Sequence, residues 1–126
     1  MYRMTRFIRP LLLLLLFSAS MAASAHHSFA VYDFETRITF VGVIKEFKFR
    51  NPHVAMKLEV TNEDGTTRVV NFIEGAPANM LVRIGMKPDM VKVGNRITAI
   101  GSPKKDDPDA FFLRKVVLES GEEFEI

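Results

Sequence analysis

Three histidines are the only imidazoles in this 126-residue chain, and two of them, His26 and His27, stand side by side in the stretch AASAHHSF; the third is His53, in RNPH. There is no cysteine, so thiolate catalysis, zinc–cysteine sites and disulfides are all excluded. What remains for metal chemistry is nitrogen and oxygen. If the chain is cut after Ala25, His26 becomes an N-terminus whose α-amine and imidazole chelate one ion together. His53 then supplies a further imidazole. An amine with two imidazoles suits Cu(II), which tops the divalent affinity order, and other transition metals less well. Such an arrangement is a histidine brace. His27 is the weaker ligand, because neighbours on an extended arm point to opposite sides. A cut after Ala23 would instead leave Ser24-Ala25-His26, a copper-binding N-terminus that needs no His53.

These ligands bind only when deprotonated, with reference pKa values of about 7.7–8.0 for the amine and about 6.5 for imidazole, so affinity is expected to fall below neutral pH. Other chemistry is thinly represented. Asp33, Glu35, Glu46 and Glu74 are candidate acids, but no spacing pairs them as a glycosidase would require. Ser28 beside His27 lacks the turn and the third group of a nucleophilic triad. No glycine-rich phosphate loop occurs. Four methionines follow residue 25; Met86 and Met90 flank KPD at a spacing open to soft Cu(I), but loop packing suits them better, and core filling suits Met56 and Met80. The acids of KKDDPD fit a solvated loop, with weak hard-cation binding the alternative. No catalytic residue is assigned.

Residues 1–25 have the layout of a secretory signal: Arg3, Arg6 and Arg9, then an apolar run from Leu11 to Phe17, then Ala23-Ser24-Ala25. The run is short of the roughly 20 apolar residues that span a bilayer, so the expectation is a soluble periplasmic or secreted protein without membrane insertion of the mature chain. Removing this segment takes away three of the 17 basic residues and none of the 15 acidic ones, leaving a net charge of −1. The sequence pI of about 9.0 therefore describes the leader, and the cationic excess needed for general nucleic-acid binding is absent.

The elements that must position the histidines follow from pattern and punctuation. An arm, residues 26–35, carries Phe29, Tyr32 and Phe34 as an apolar grip. At about 3.3 Å per residue, Ser28 to Phe34 can cover roughly 20 Å, enough to return His26 toward His53 from a turn near Asp33 to Arg37. TRITFVGVIKEFKF reads as a long first strand, with Ile38 and Phe40 in one phase and Val41, Val43, Phe47 and Phe49 in the other; the switch at Gly42 predicts a bulge or bend there. Val54, Met56, Leu58 and Val60 alternate inward on a second strand. NEDG predicts a hairpin into a third strand over residues 67–73. Pro77, Met80, Leu81, Ile84 and Gly85 predict one short helix. A fourth strand, a polar loop at KKDDPD and a fifth strand from Phe111 follow, with Gly121 in a final turn.

Three strands, a helix and two strands, with a long bent first strand, predict an all-β domain with one short helix over residues 26–126, an OB-like five-stranded Greek-key barrel. AHHSFAVYD, FKFRNPH, EGAPANMLVRIGM and VKVGNRITAIGSP resemble segments of a family of small exported bacterial proteins catalogued as a domain of unknown function, whose members often carry tryptophan where this chain has Phe49 and Met86. The resemblance implies a periplasmic OB-like domain and no activity. Function is therefore expected to be binding: of copper or another transition metal through His26, His53 and His27, or, in the rival class, of a protein, peptide or glycan by a metal-free module. The rival expects an exposed cluster of Phe47, Phe49, Phe111 and Phe112 as its surface.

Overall fold

The structure is a computed structural model that describes residues 29–126; His26, His27 and the expected signal segment lie outside the described residues. The chain divides after Val31, and the part described below is Tyr32–Ile126, a compact unit. In it, strands β1 (Ile38–Lys48), β2 (Ala55–Thr61), β3 (Thr67–Glu74), β4 (Arg96–Lys104), β5 (Asp107–Leu118) and β6 (Glu123–Glu125) form one sheet ordered β3-β2-β1-β4-β5-β6. A parallel pairing of β3 with β5, through Asn71–Ala110 and Phe72–Phe111, closes the first five strands into a barrel. With the short helix α1 (Ala78–Arg83) between β3 and β4, this is the all-β, OB-type Greek-key arrangement the sequence predicts.

The long first strand serves both sides of the barrel, pairing with β4 over Ile38–Val43 and with β2 over Gly42–Lys48. Its phase differs from the sequence reading. Phe40, Gly42 and Ile44 face inward while Val41 is exposed, and the register steps from Ile44–Leu58 to Glu46–Lys57. Lys45 is thus the extra residue of a bulge, and beyond it Phe47 returns to the core side, with Phe49 beside it. The cationic residue that breaks the alternation marks the bulge itself. Gly42 is needed for another reason, since a Cβ there would lie 2.3 Å from the Glu59 carbonyl oxygen. Only glycine lets β1 approach β2 this closely at the point where the strand belongs to both ladders.

β2 alternates as expected, with Val54, Met56 and Leu58 buried, and the hairpin closes through Asn62 N–H to Thr66 O at 2.7 Å. At the far end of α1 the amide of Met86 donates to Leu81 O at 2.9 Å and that of Gly85 to Val82 O at 3.1 Å. This is a Schellman cap, and Gly85 supplies its left-handed residue at φ +93°. The cap turns Met86 inward onto Leu81, and both side chains are fully buried, whereas Met80, assigned to the core from the sequence, is 46% exposed. The methionine roles are exchanged because the residue after a Schellman glycine packs back on the last turn.

Toward the C-terminus KKDDPD is not a loop. β4 and β5 run into it and only Lys105 and Asp106 turn. Two of its acids are paired with cations of the protein, Asp106 with Lys104 and Asp109 with Arg68 at 2.6 Å, and Asp107 accepts from Asp109 N–H. β6, absent from the sequence reading, pairs with Lys115–Val117 of β5 and buries Phe124. The core gathers inward residues of all five barrel strands, including Phe40, Leu58, Phe72, Ala99 and Leu113, with Leu81 and Met86 from the helix end. Phe111 and Phe112 are 2% and 8% exposed, and Phe47 and Phe49 pack against the core. These four phenylalanines therefore do not form an exposed cluster: barrel closure buries Phe111 in the core, Tyr32 and Phe34 cover Phe112, and Phe47 and Phe49 pack against the core.

Candidate functional site

His53 sits between β1 and β2 in the link Arg50-Asn51-Pro52-His53, which contains a cis Asn51–Pro52 bond. The link is laced to the segment leading into α1. Arg50 O accepts from Ala78 N–H at 3.2 Å, Asn51 Oδ1 from Asn79 N–H at 3.2 Å, and Val54 N–H donates to Ala76 O at 3.1 Å. The first-turn amides of α1, which have no partner within the helix, are thereby satisfied by the link that carries the histidine. The Arg50–Val54 segment is consequently pinned along its length to Ala76–Asn79.

The imidazole itself is fixed at both nitrogens. Nδ1 lies 2.9 Å from Gly75 O; a carbonyl only accepts, so Nδ1 is the nitrogen that carries hydrogen. Nε2 faces Glu74 Oε1 at 3.2 Å, and the two side chains are 40% and 16% exposed. The other carboxylate oxygen of Glu74 accepts from the Tyr32 hydroxyl at 2.9 Å. Tyr32, Glu74 and His53 thus form one continuous polar chain at the end of β3.

Tyr32 belongs to the arm. It bridges Lys104, and the next residue, Asp33, donates its N–H to Pro103 O at 2.9 Å, so Tyr32 and Asp33 run against the end of β4. Asp33 Oδ1 accepts from Glu35 N–H and Oδ2 from the Thr36 hydroxyl, making the expected turn, and these hydrogen bonds hold its carboxyl below the usual range. The grip is aromatic: Tyr32 and Phe34 meet Phe112 edge-on at 5.5 and 5.3 Å between ring centres, while Phe29 is 48% exposed. Burial, then the hydrogen bond and charge of Glu74, push the Tyr32 phenol well above its ordinary value. Tyr32 therefore stays a hydrogen-bond donor across the working range of pH.

Beside His53 lies an open pocket of about 340 Å³ lined by Arg50, Asn51, Pro52, His53, Ile73 and Glu74. A neighbouring groove of about 220 Å³ runs over β2 and β3 and shares Arg50 and Ile73; at its edge Glu46 is paired with Lys48 at 2.8 Å and Lys57 at 3.2 Å, which holds its carboxyl low. Of the sequence-derived ligands only His53 falls within the described residues; His26 and His27 do not. Among the described residues no three His, Asp or Glu side chains converge. From the sequence, Glu74 is only one of four candidate acids and Tyr32 only an apolar anchor. The β2–β3 register, in which Met56 faces Phe72, brings His53 toward Glu74 and Gly75, and the NEDG turn that sets this register is the signal that points to the pairing.

No curated protein and no solved structure matches the chain. A family model described as a family of unknown function, DUF6152, matches residues 14–111, a span that contains all three histidines, Tyr32 and Glu74. The chain belongs to this family of unknown function.

Proposed function

We propose that the protein is exported to the periplasm and works there as an OB-type binding module whose ligand is a single transition-metal ion, copper above all. The ion is held by the amine and imidazole of His26, exposed by cleavage after Ala25, and by Nε2 of His53, with His27 adjacent. The observation that carries this reading is the setting of His53. Its Nδ1–H is spent on a backbone carbonyl at 2.9 Å, the arrangement by which metal-binding histidines are oriented through their second nitrogen. The same polar chain ends on Tyr32 of the arm. From His26 to Tyr32 the arm can span roughly 20 Å at about 3.3 Å per residue, ample to reach a ring two side chains away from Tyr32.

The test begins with mass spectrometry of the N-terminus produced on export, followed by titration of that chain with Cu(II). One equivalent bound tightly, and lost when one residue is added before His26 or when His53 is changed to alanine, supports the proposal. Binding that ignores both changes refutes it. The second reading, a metal-free module for a peptide or glycan, has the groove over β2 and β3 as its remaining surface. It is supported if ligand binding maps to Lys57 and Asn71 and is indifferent to His53.

A further inference from the structure

β1, β2 and β3 turn a shallow concave face outward, and its make-up follows from their register. Glu46 stands opposite Lys57, and Lys57 opposite Asn71, in one row across the three strands. One step along, Lys48 stands opposite Ala55, and Ile73 is the next outward residue of β3. Ala55 has the smallest side chain of the two rows, so a groove of about 220 Å³ opens over it. Past Arg50 and Ile73 it adjoins the pocket of about 340 Å³ beside the Asn51–Pro52 link. We infer that this groove docks an extended acidic peptide segment of a partner protein, with a carboxylate paired to Arg50 and an aliphatic side chain seated on Ala55 against Ile73. The inference needs no metal, and it narrows the second reading above to a peptide.

Three features carry the assignment. The first is charge. Glu46 pairs with Lys48 at 2.8 Å and with Lys57 at 3.2 Å, so one carboxylate is shared by two ammonium groups and a cation is left in excess. Arg50 adds a guanidinium that meets no side-chain partner among the described residues, whereas Arg37 and Arg68 pair with Glu125 and Asp109. The groove is thus locally cationic on a chain that is net negative from residue 26 onward, and an acidic partner complements it. The second feature is preorganisation. Arg50 O accepts from Ala78 N–H, and Asn51 Oδ1 from Asn79 N–H. The backbone that carries the guanidinium is therefore fixed before a ligand arrives, which lowers the ordering cost of binding, and the planar fork of arginine matches a carboxylate bidentately. The third feature is the floor. Ile73 is 47% exposed, and it places apolar contact area beside the cations. OB barrels also take oligonucleotides and oligosaccharides on this face, but bases stack on exposed aromatic rings, as sugar faces do, and the aromatic residue lining this groove, Phe72, is fully buried. At about 4.8 Å between strands and 3.3 Å per residue along them, the face from Glu46 to Arg50 measures roughly 10 by 13 Å, room for about three to four residues of extended chain.

The experiment uses the chain beginning at His26, with a chelator present so that metal plays no part. A random dodecapeptide library displayed on phage is selected against it, and the most enriched peptide is synthesised and titrated into nitrogen-15-labelled protein. The expected result is enrichment of Asp or Glu together with Val, Leu or Ile, and amide shifts concentrated at Ala55, Lys57, Asn71 and Ile73. Arg50→Gln should weaken the peptide at least about tenfold, as loss of a charge-assisted hydrogen bond does, and Arg50→Lys less. Ile73→Ser should weaken it about fivefold through lost apolar contact, and added salt should weaken it further. Melting curves verify that the variants fold, and the amide mapping on wild type needs no variant. No enrichment, enriched peptides without acids, shifts that map to another face, or undiminished affinity in Arg50→Gln overturns the inference. So does a tetragalacturonate that shifts these amides when the enriched peptide does not, which would make the groove a glycan site. Because copper is absent throughout, failure of the metal site leaves this result standing, and failure here leaves the copper titration standing.

Discussion

Replacing Tyr32 by phenylalanine removes one oxygen and leaves the aromatic contacts with Phe34 and Phe112 in place. What is lost is a hydrogen bond of 2.9 Å to Glu74 Oε2, made by a phenol in a residue only 4% exposed. Hydrogen bonds to charged groups contribute about 1.5–3 kcal/mol net. Glu74 keeps His53 as a partner and is 16% exposed, so water can partly replace the phenol and the lower end, about 1.5 kcal/mol, applies. For a domain of about 100 residues this lowers the melting temperature by roughly 6–12 °C. Urea unfolding of the metal-free chain, followed by circular dichroism at neutral pH, should show a lower midpoint with an unchanged slope. In a double-mutant cycle with Glu74→Ala the two losses should be less than additive, because both remove the same bond. A Tyr32→Phe chain as stable as wild type, or additive losses, would refute the view that this bond ties the arm to the site.

The same phenol gives a pH signature that can be read without a mutation. In a chain starting at His26, Tyr32 is the only tyrosine, and burial followed by Glu74 raises its pKa from the ordinary 10.0. Its contribution to stability is therefore complete below about pH 10 and lost as pH climbs toward the folded-state value, since the unfolded chain releases the proton first. Phenolate absorbance should appear in the folded protein only well above pH 10, and normal titration of the folded chain would contradict this. Copper binding should instead weaken as pH falls below neutral, as protons compete for amine and imidazole; a pH-insensitive titration would point to other ligands. Met86→Ala should cost about 2–5 kcal/mol as a core truncation, while Met80→Ala stays within about 0.5 kcal/mol, measured by the same unfolding assay; equal losses would refute the Schellman packing. Gly42→Ala, whose Cβ meets a carbonyl oxygen at 2.3 Å, should destabilise by at least the 1–3 kcal/mol typical of overpacking (~2 kcal/mol).

The barrel is readable from the sequence because its signals are local. The alternation in β2, the NEDG turn, and Pro77 and Gly85 around α1 each follow from a few adjacent residues, and their order specifies the topology. The bulge falls at Lys45 and not at Gly42, because the glycine that reads as a defect in alternation marks close approach of strands, whereas the lysine marks the inserted residue. The exchange of Met80 and Met86 follows from weighing helical spacing above the cap. The site is half legible. His53 stands out by residue type, but its partners arise where β3 leaves β2, steps past a register shift between Phe72 and Glu74 to join β5, and meets an arm docked on β4. Such meetings of three segments depend on register, which residue types alone do not encode.

The central claim is that the processed N-terminus and His53 hold one copper ion together. Electron paramagnetic resonance of the one-equivalent Cu(II) adduct of the chain beginning at His26 tests it most directly. The expected result is a single species with nitrogen couplings that change both on His53→Ala and on addition of one residue before His26. A spectrum unaltered by either change, or no stoichiometric adduct, contradicts it.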